Sequence, residues 1–141
     1  MTERTGLTCV VHVERDLYDV YIGRGLCPTT GTRGAWGNPW SKREHGERVC
    51  LERFLAMIGE CVEDPQWRAR ATRALQGQIL GCWCHPELCH GDILARVVDG
   101  QAWPTVRAWA LEQLEQRERE TESGRQLRLF AEAAPGGQAS H

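Results

Sequence analysis

The chain has 141 residues, with 17 lysines and arginines against 19 aspartates and glutamates, and a net charge of −2. This balance excludes a strong overall field that would recruit nucleic acid through bulk electrostatics, and no apolar run approaches the roughly 20 residues of a membrane-spanning helix. The first residues lack the apolar core of a secretory signal, so we expect a cytoplasmic protein whose seven cysteines stay reduced.

Two short runs rich in β-branched residues come first. The segments 8–13 (TCVVHV) and 19–23 (DVYIG) predict β-strands. Residues 24–40 are rich in glycine and proline and have no apolar period, so they predict a long loop. Long loops inside compact domains often carry function.

Helices and a third strand follow. Apolar residues at helical spacing across 47–60 predict an amphipathic helix. Asp64 followed by Pro65 predicts the start of a second helix, which runs to about Leu75. The segment 78–84 (QILGCWC) predicts a strand, and residues 89–100 predict a helix that ends at a glycine.

These elements predict an α/β fold with a small, mainly parallel sheet flanked by helices, because a helical crossover before the third strand favours parallel pairing. We expect an α/β domain over residues 1–103, a C-terminal helix over 104–121 and a flexible tail over 122–141. The apolar surroundings of Cys9, Cys50 and Cys61 predict small core residues.

Residues 81–92, GCWCHPELCHGD, contain the highest density of potentially reactive or metal-binding side chains. In a strand that extends to residue 84, Cys82 and Cys84 point to one face and Trp83 to the other. Cys89 and His90 then begin a helix, where the dipole favours a thiolate or a bound anion.

Three interpretations of this cluster stay open. The first is a zinc site with His85 as an alternative histidine ligand; its ligands are Cys82, Cys84, Cys89 and His90. The second is a nucleophilic thiol at Cys84 or Cys89 with a histidine as its base and Asp92 orienting His90 or capping the helix. The third is a buried strand whose cysteines are small apolar residues.

The loop after the second strand is the other candidate site. Arg24, preceded by Gly23, can clamp an anion with room for close backbone approach. Trp36 and Trp40 can stack on a flat ring, and Asn38 can bind its edge. The alternative is a turn whose tryptophans cover the sheet.

Taken together, the blocks YDVYIGRG, WGNPW and LGCWCHPELCHGD, in this order, resemble a bacterial and phage family known as domain of unknown function 4326. The resemblance covers roughly residues 8–100, and the family name implies no activity. The residues 27–34 ahead of WGNPW look like an insertion relative to that pattern. The scaffold is also similar to a second uncharacterised family, number 488, but Gly91 stands where that family has an arginine.

A different motif lies near the C-terminus. QLRLF resembles the pentapeptide through which bacterial polymerases and repair proteins bind the DNA sliding clamp. The resemblance implies that Leu129 and Phe130 dock in an apolar pocket while Gln126 and Leu127 set the register. The alternative is an amphipathic end that folds back on the domain.

Two functional hypotheses follow. One is an enzyme that acts on a nucleotide or nucleobase and is tethered to the sliding clamp. Its pocket is formed by Arg24, the loop 36–40 and the Cys/His junction at Cys84, Cys89 and His90. The other is a non-catalytic, zinc-stabilised adaptor of DNA replication or repair.

Overall fold

The computed structural model describes residues 7–25, 27, 30–31, 34–84 and 87–133. Three strands and five helices form in these ranges. In chain order they are β1 (Cys9–His12), β2 (Val20–Tyr21), α1 (Lys42–His45), α2 (Glu47–Cys61), α3 (Pro65–Leu75), β3 (Ile79–Cys82), α4 (His90–Val98) and α5 (Trp103–Ala133). No helix in the described ranges has the length and apolar character needed to cross a bilayer.

The three strands form a parallel sheet in the order β1-β3-β2, which confirms the α/β prediction. The central strand is the last of the three in the chain. Cys9 pairs with Ile79 on one side of it, and Val20 pairs with Leu80 on the other. The sheet therefore forms only when a distant segment inserts between its first two strands.

The connection between β1 and β2 is short for two parallel strands. Because these strands flank β3, the chain between them crosses one face of the sheet. Tyr18 lies on that face, and its ring carbon Cγ is 2.5 Å from the place where a side chain on Gly81 would begin. Glycine at this position allows the crossing.

The helices follow the local sequence signals closely. Apolar residues of α2, including Phe54, Leu55 and Ile58, are buried in the core. Asp64 caps α3 by accepting a hydrogen bond from the Gln66 backbone N–H at 2.9 Å, and Pro65 occupies the first turn, as predicted. Gly100, after α4, has a φ of 94°, which favours glycine over other residues.

The three cysteines predicted to be core residues differ in burial. Cys50 is buried, as predicted, and Cys61 is half-buried at the end of α2. The prediction is wrong for Cys9, which is exposed. Cys9 is the first residue of β1, and β1 is an edge strand of the sheet that the described residues form.

Two further features differ from the sequence predictions. The strand β3 ends at Cys82 rather than at residue 84. Helix α5 continues past residue 121 to Ala133 and includes the QLRLF peptide; no proline interrupts this stretch, and most of its residues are good helix formers. The chain divides into two compact units between Ala108 and Trp109, within this helix.

Candidate functional site

A cavity of about 390 Å³ opens beside the carboxyl ends of β2 and β3. Ligands of open parallel sheets generally bind at this edge. Residues from both predicted sites line it. They are Gly23, Arg24, Asn38 and Trp40 from the loop, and Cys84, Cys89 and His90 from the strand-to-helix junction.

We name the two sides of this cavity by their residues. The loop wall consists of the lining residues between Gly23 and Arg43, and the thiol wall consists of those between Trp83 and His90. Helix α2 adds Glu47, Cys50 and Leu51 to the lining.

Close backbone approach shapes the loop wall. A side chain on Gly37 would begin 2.9 Å from the carbonyl oxygen of Gly23, and one on Gly34 would begin 2.7 Å from the same oxygen. The Tyr21 hydroxyl donates a hydrogen bond to the Arg24 carbonyl oxygen at 2.7 Å. The backbone that presents Arg24 is therefore packed against two glycines and tied to β2.

Asn38 is buried, and its amide is used within the protein. Its Oδ1 accepts from the Trp40 N–H at 2.9 Å, and its Nδ2 donates to the Cys50 sulfur at 3.2 Å. The Cys50 thiol in turn donates to the Trp40 carbonyl oxygen at 2.9 Å, and burial raises its pKa. These contacts give Asn38 a role in shaping the loop; binding of a ligand edge stays a prediction.

Three cationic residues line the loop wall, namely Arg24, Lys42 and Arg43. The Lys42 ammonium donates to the Leu88 carbonyl oxygen at 3.2 Å and lies 3.7 Å from the Glu47 carboxylate. Lys42 therefore joins the loop wall to the thiol wall and places a positive charge between them.

In the thiol wall, Cys89 is the N-cap of α4. Its sulfur accepts a hydrogen bond from the Gly91 N–H at 3.2 Å, and the Asp92 carboxylate accepts one from the Cys89 N–H at 3.1 Å. This reciprocal pattern is a capping box. It assigns a structural role to both residues, and their catalytic role stays a prediction. Asp92 does not line the cavity.

The thiols of the cluster are close together. The sulfurs of Cys82 and Cys89 are 3.2 Å apart, and both residues are buried. A hydrogen bond with Cys82, together with burial, raises the pKa of Cys84 far above its usual range. The Cys84 thiol is therefore protonated at neutral pH.

Among the described residues, no group of three or more His, Cys, Asp or Glu side chains is arranged to hold a metal ion. The predicted zinc ligands Cys82, Cys84, Cys89 and His90 are thus not arranged together as a metal site in this part of the chain. His85, the alternative ligand, lies outside the described residues.

His90 is buried, and its ring packs edge-to-face against Phe54 with centroids 5.4 Å apart. Its Nε2 lies 2.6 Å from the Ile22 carbonyl oxygen. Because a carbonyl can only accept, Nε2 carries the proton and Nδ1 is left as an acceptor. Burial lowers the pKa of His90 to about 4, so the ring is neutral at pH 7.

The aromatic residues of the site differ from the prediction. Trp36 does not line the cavity and instead packs edge-to-face against Trp67 at 6.2 Å. Trp83 lines it together with Cys84. The strict alternation of a strand would place these two neighbours on opposite faces, but the strand has already ended at Cys82.

Sequence reasoning also missed Lys42 and Arg43. Both follow Ser41, whose hydroxyl accepts hydrogen bonds from the Arg43 and Glu44 N–H groups and begins α1. A serine with a glutamate three residues later is the spacing of a capping box. That signal could have predicted this short helix and its place beside the loop.

Comparisons with known proteins agree with the resemblance drawn from the sequence. The family model described as domain of unknown function (DUF4326) matches residues 10–100, a span that contains every described residue lining the cavity. The chain is 30% identical over 90 residues to the "uncharacterized 12.4 kDa protein in nrdA-td intergenic region" of Enterobacteria phage T4. This alignment covers 64% of the chain and 76% of the phage protein. No solved structure matches significantly.

Proposed function

The chain belongs to the DUF4326 family, and we propose that its cavity is the active site of an enzyme that acts on a nucleotide or nucleobase. The observation that carries this proposal is the convergence of Arg24, Lys42 and Arg43 on the same cavity as the Cys84 thiol.

The charges around the cavity favour an anionic ligand. Its described lining residues include three cations and one acid, Glu47, and this acid is paired with Lys42. Arginine offers a planar fork that binds phosphate or carboxylate oxygens in pairs, while lysine acts as a point charge. This local excess of positive charge exists although the whole chain is slightly negative.

The remaining lining suits a flat, partly apolar ring. Trp40, Trp83, Leu51 and Leu88 border the space. Its volume of about 390 Å³ falls within the range of small-molecule sites. Cations and aromatic side chains that line one such cavity suit the phosphate and the base of a nucleotide.

Cys84 is the thiol that we assign to the chemistry. The two other cysteines that line the cavity are buried and bonded to the backbone, since Cys50 donates to the Trp40 carbonyl and Cys89 accepts from the Gly91 N–H. Cys84 has its hydrogen bond with the Cys82 thiol instead. Cys84 is partly exposed, and the positive charge of Lys42 opposes the upward shift of its pKa. A reaction that uses it as a nucleophile therefore requires a base, in the site or on the substrate, that accepts its proton.

The test is a binding screen of nucleotides and nucleobases against the purified protein by calorimetry. We expect binding of a nucleotide that Arg24→Ala weakens about tenfold or more, because a hydrogen bond to a charged group contributes roughly 1.5–3 kcal/mol. The matched control is Arg53→Ala, an exposed arginine of α2 that does not line the cavity. No binding of any compound, or equal loss in both variants, contradicts the proposal.

We also propose that the chain is tethered to the bacterial DNA sliding clamp through Gln126–Phe130. The support is the exposure of its apolar side chains. The anchors Leu129 and Phe130 are 59% and 67% exposed, and Leu127 is 69% exposed. Apolar side chains with this exposure are available to a partner.

The helical state of this peptide affects how it reaches a partner. The sequence predicts a flexible segment, but Gln126–Phe130 lies within α5. Gly124 precedes the peptide by two residues, and a glycine weakens a helix by about 1 kcal/mol relative to alanine. Because helix ends also fray, the last turns of α5 can unwind from this glycine at small cost when the peptide docks.

Binding of the full chain to a purified bacterial clamp, measured by surface plasmon resonance, tests this tether. Burying each anchor contributes about 1.5–3 kcal/mol, so we expect Leu129→Ala combined with Phe130→Ala to weaken binding about a hundredfold or more. The control is Arg119→Ala with Thr121→Ala, two exposed positions of the same helix outside the peptide. Absence of clamp binding by the unmodified chain rules the tether out.

A zinc-stabilised adaptor is the second candidate function. The proximity of the Cys82 and Cys89 sulfurs, 3.2 Å apart, favours it. Elemental analysis distinguishes the two candidates. Stoichiometric zinc whose removal by a chelator unfolds the domain supports the adaptor, and metal-free protein that keeps its fold and binds a nucleotide supports the enzyme.

A further inference from the structure

Trp83 is a large aromatic residue that is 47% exposed although its indole N–H is engaged. Its Nε1 donates to the Tyr21 hydroxyl at 2.9 Å, and the His12 ring packs against it at a right angle with centroids 5.9 Å apart. Two contacts from different strands therefore fix the orientation of an indole that lines the cavity.

The Tyr21 hydroxyl makes a second contact, and this one is with the loop wall. It donates to the Arg24 carbonyl oxygen at 2.7 Å while it accepts from Trp83. This one hydroxyl thus fixes both the indole of the thiol wall and the backbone that carries the Arg24 guanidinium. A side chain on Gly23 would begin 2.4 Å from this hydroxyl, so glycine there leaves room for both hydrogen bonds.

We propose that Trp83 is the platform on which the ring of the ligand stacks, and that Tyr21 is the positioning residue that sets the platform relative to Arg24. This inference rests on the proposed nucleotide binding and specifies its orientation. The base lies on Trp83, and the phosphate lies toward Arg24 and Lys42.

The other tryptophans near the site are less suited to this role. Trp36 is packed against Trp67. Trp40 lines the cavity but is only partly exposed, less so than Trp83. Trp83 combines exposure, a satisfied indole N–H and a place on the cavity.

The experiment compares two probes by calorimetry, a nucleoside monophosphate and ribose 5-phosphate, which carries the phosphate but no base. Stacking of a base on an aromatic side chain contributes roughly 1–3 kcal/mol, or about 5- to 150-fold in affinity. We expect Trp83→Ala to weaken the nucleotide by such a factor and to change ribose 5-phosphate by less than about twofold. Trp83→Phe, which keeps a ring, should retain most of the nucleotide affinity.

Tyr21→Phe tests the positioning role, since it keeps the ring and removes only the hydroxyl. We expect it to weaken both probes, because it releases the indole and the Arg24 backbone together. Thermal unfolding of each variant shows whether the fold is kept.

The outcomes separate the two proposals. A nucleotide that binds the unmodified protein but is unaffected by Trp83→Ala overturns the platform and leaves the proposed function standing. Equal loss of both probes in Trp83→Ala also overturns it. If the unmodified protein binds no nucleotide, the proposed function and this inference fall together.

Discussion

The thiol wall and the loop wall line one cavity, but they use their polar atoms differently. In the thiol wall, Cys89 caps a helix and His90 binds the Ile22 carbonyl oxygen. In the loop wall, Arg24 and Arg43 carry full charges at the cavity surface. The residues that look most reactive in the sequence are thus largely occupied with holding the fold, while ordinary cations face the ligand space.

This difference predicts that changes at Cys89 and His90 of the thiol wall lower stability, whereas changes at the cations of the loop wall lower affinity. The free energy of unfolding and the ligand dissociation constant measure the two effects separately. Each variant below is expected to move one quantity much more than the other.

The largest effect on stability is expected at His90 as the pH falls. The pKa of His90 in the folded protein is about 4, below its ordinary value of 6.5. Between pH 4 and pH 6.5 the unfolded chain therefore binds more protons than the folded protein. Stability is therefore full above about pH 6.5 and is lost progressively as the pH falls toward 4, by about 3 kcal/mol. Urea unfolding across this range measures the loss.

His90→Gln keeps a donor for the Ile22 carbonyl oxygen but does not titrate, so this part of the pH dependence should disappear. His45→Gln, at an exposed position of α1, should leave the dependence unchanged. The same pH dependence in His90→Gln as in the unmodified protein would show that His90 does not cause it.

A smaller loss is expected at Cys89. Replacing it with alanine removes the cap of α4 and should lower the free energy of unfolding by about 1–2 kcal/mol. Serine, which keeps a side-chain acceptor, should restore most of this difference. An unchanged urea midpoint in Cys89→Ala would mean that the thiol wall does not stabilise the fold through its cap.

The smallest effect on stability is expected at Lys42. Its ion pair with Glu47 joins two partly exposed side chains, and such pairs contribute about 0–1 kcal/mol. Lys42→Ala should therefore change the free energy of unfolding by less than about 1 kcal/mol, while it weakens nucleotide binding about tenfold. Urea unfolding and calorimetry on the same preparation measure the two effects. If Lys42→Ala lowers the free energy of unfolding but leaves nucleotide affinity unchanged, Lys42 stabilises the fold and does not bind the ligand, which contradicts this assignment.

Much of the local structure could be predicted from the sequence. The amphipathic period of α2 and the Asp64–Pro65 start of α3 are signals contained within a few residues, and both helices form where expected. The order β1-β3-β2 could not be predicted in this way, because it depends on pairing between segments far apart in the chain, such as Val20 with Leu80.

The sequence predicted which types of residue form the candidate site. It did not predict the contacts that these residues make. Glycines, cysteines and an arginine at two strand ends indicated a common site, and the structure brings Arg24 and Cys84 to one cavity. Trp83 lines the cavity because β3 ends at Cys82, and strand ends are set by tertiary contacts more than by local preference. Trp36 does not line it because its ring packs against Trp67, a residue distant in the sequence. The use of Cys89 as a helix cap follows from the same junction geometry.

The position of β3 at the centre of the sheet has a consequence for synthesis on the ribosome. Both β1 and β2 pair with β3 in the part of the chain that the structure describes, and β3 begins only at Ile79. At elongation rates of about 5–20 residues per second, the first two strands wait roughly 3 to 12 seconds for their partner. During that interval their edges are open to other chains and to proteases, until the segment that also carries the cysteine cluster has been made.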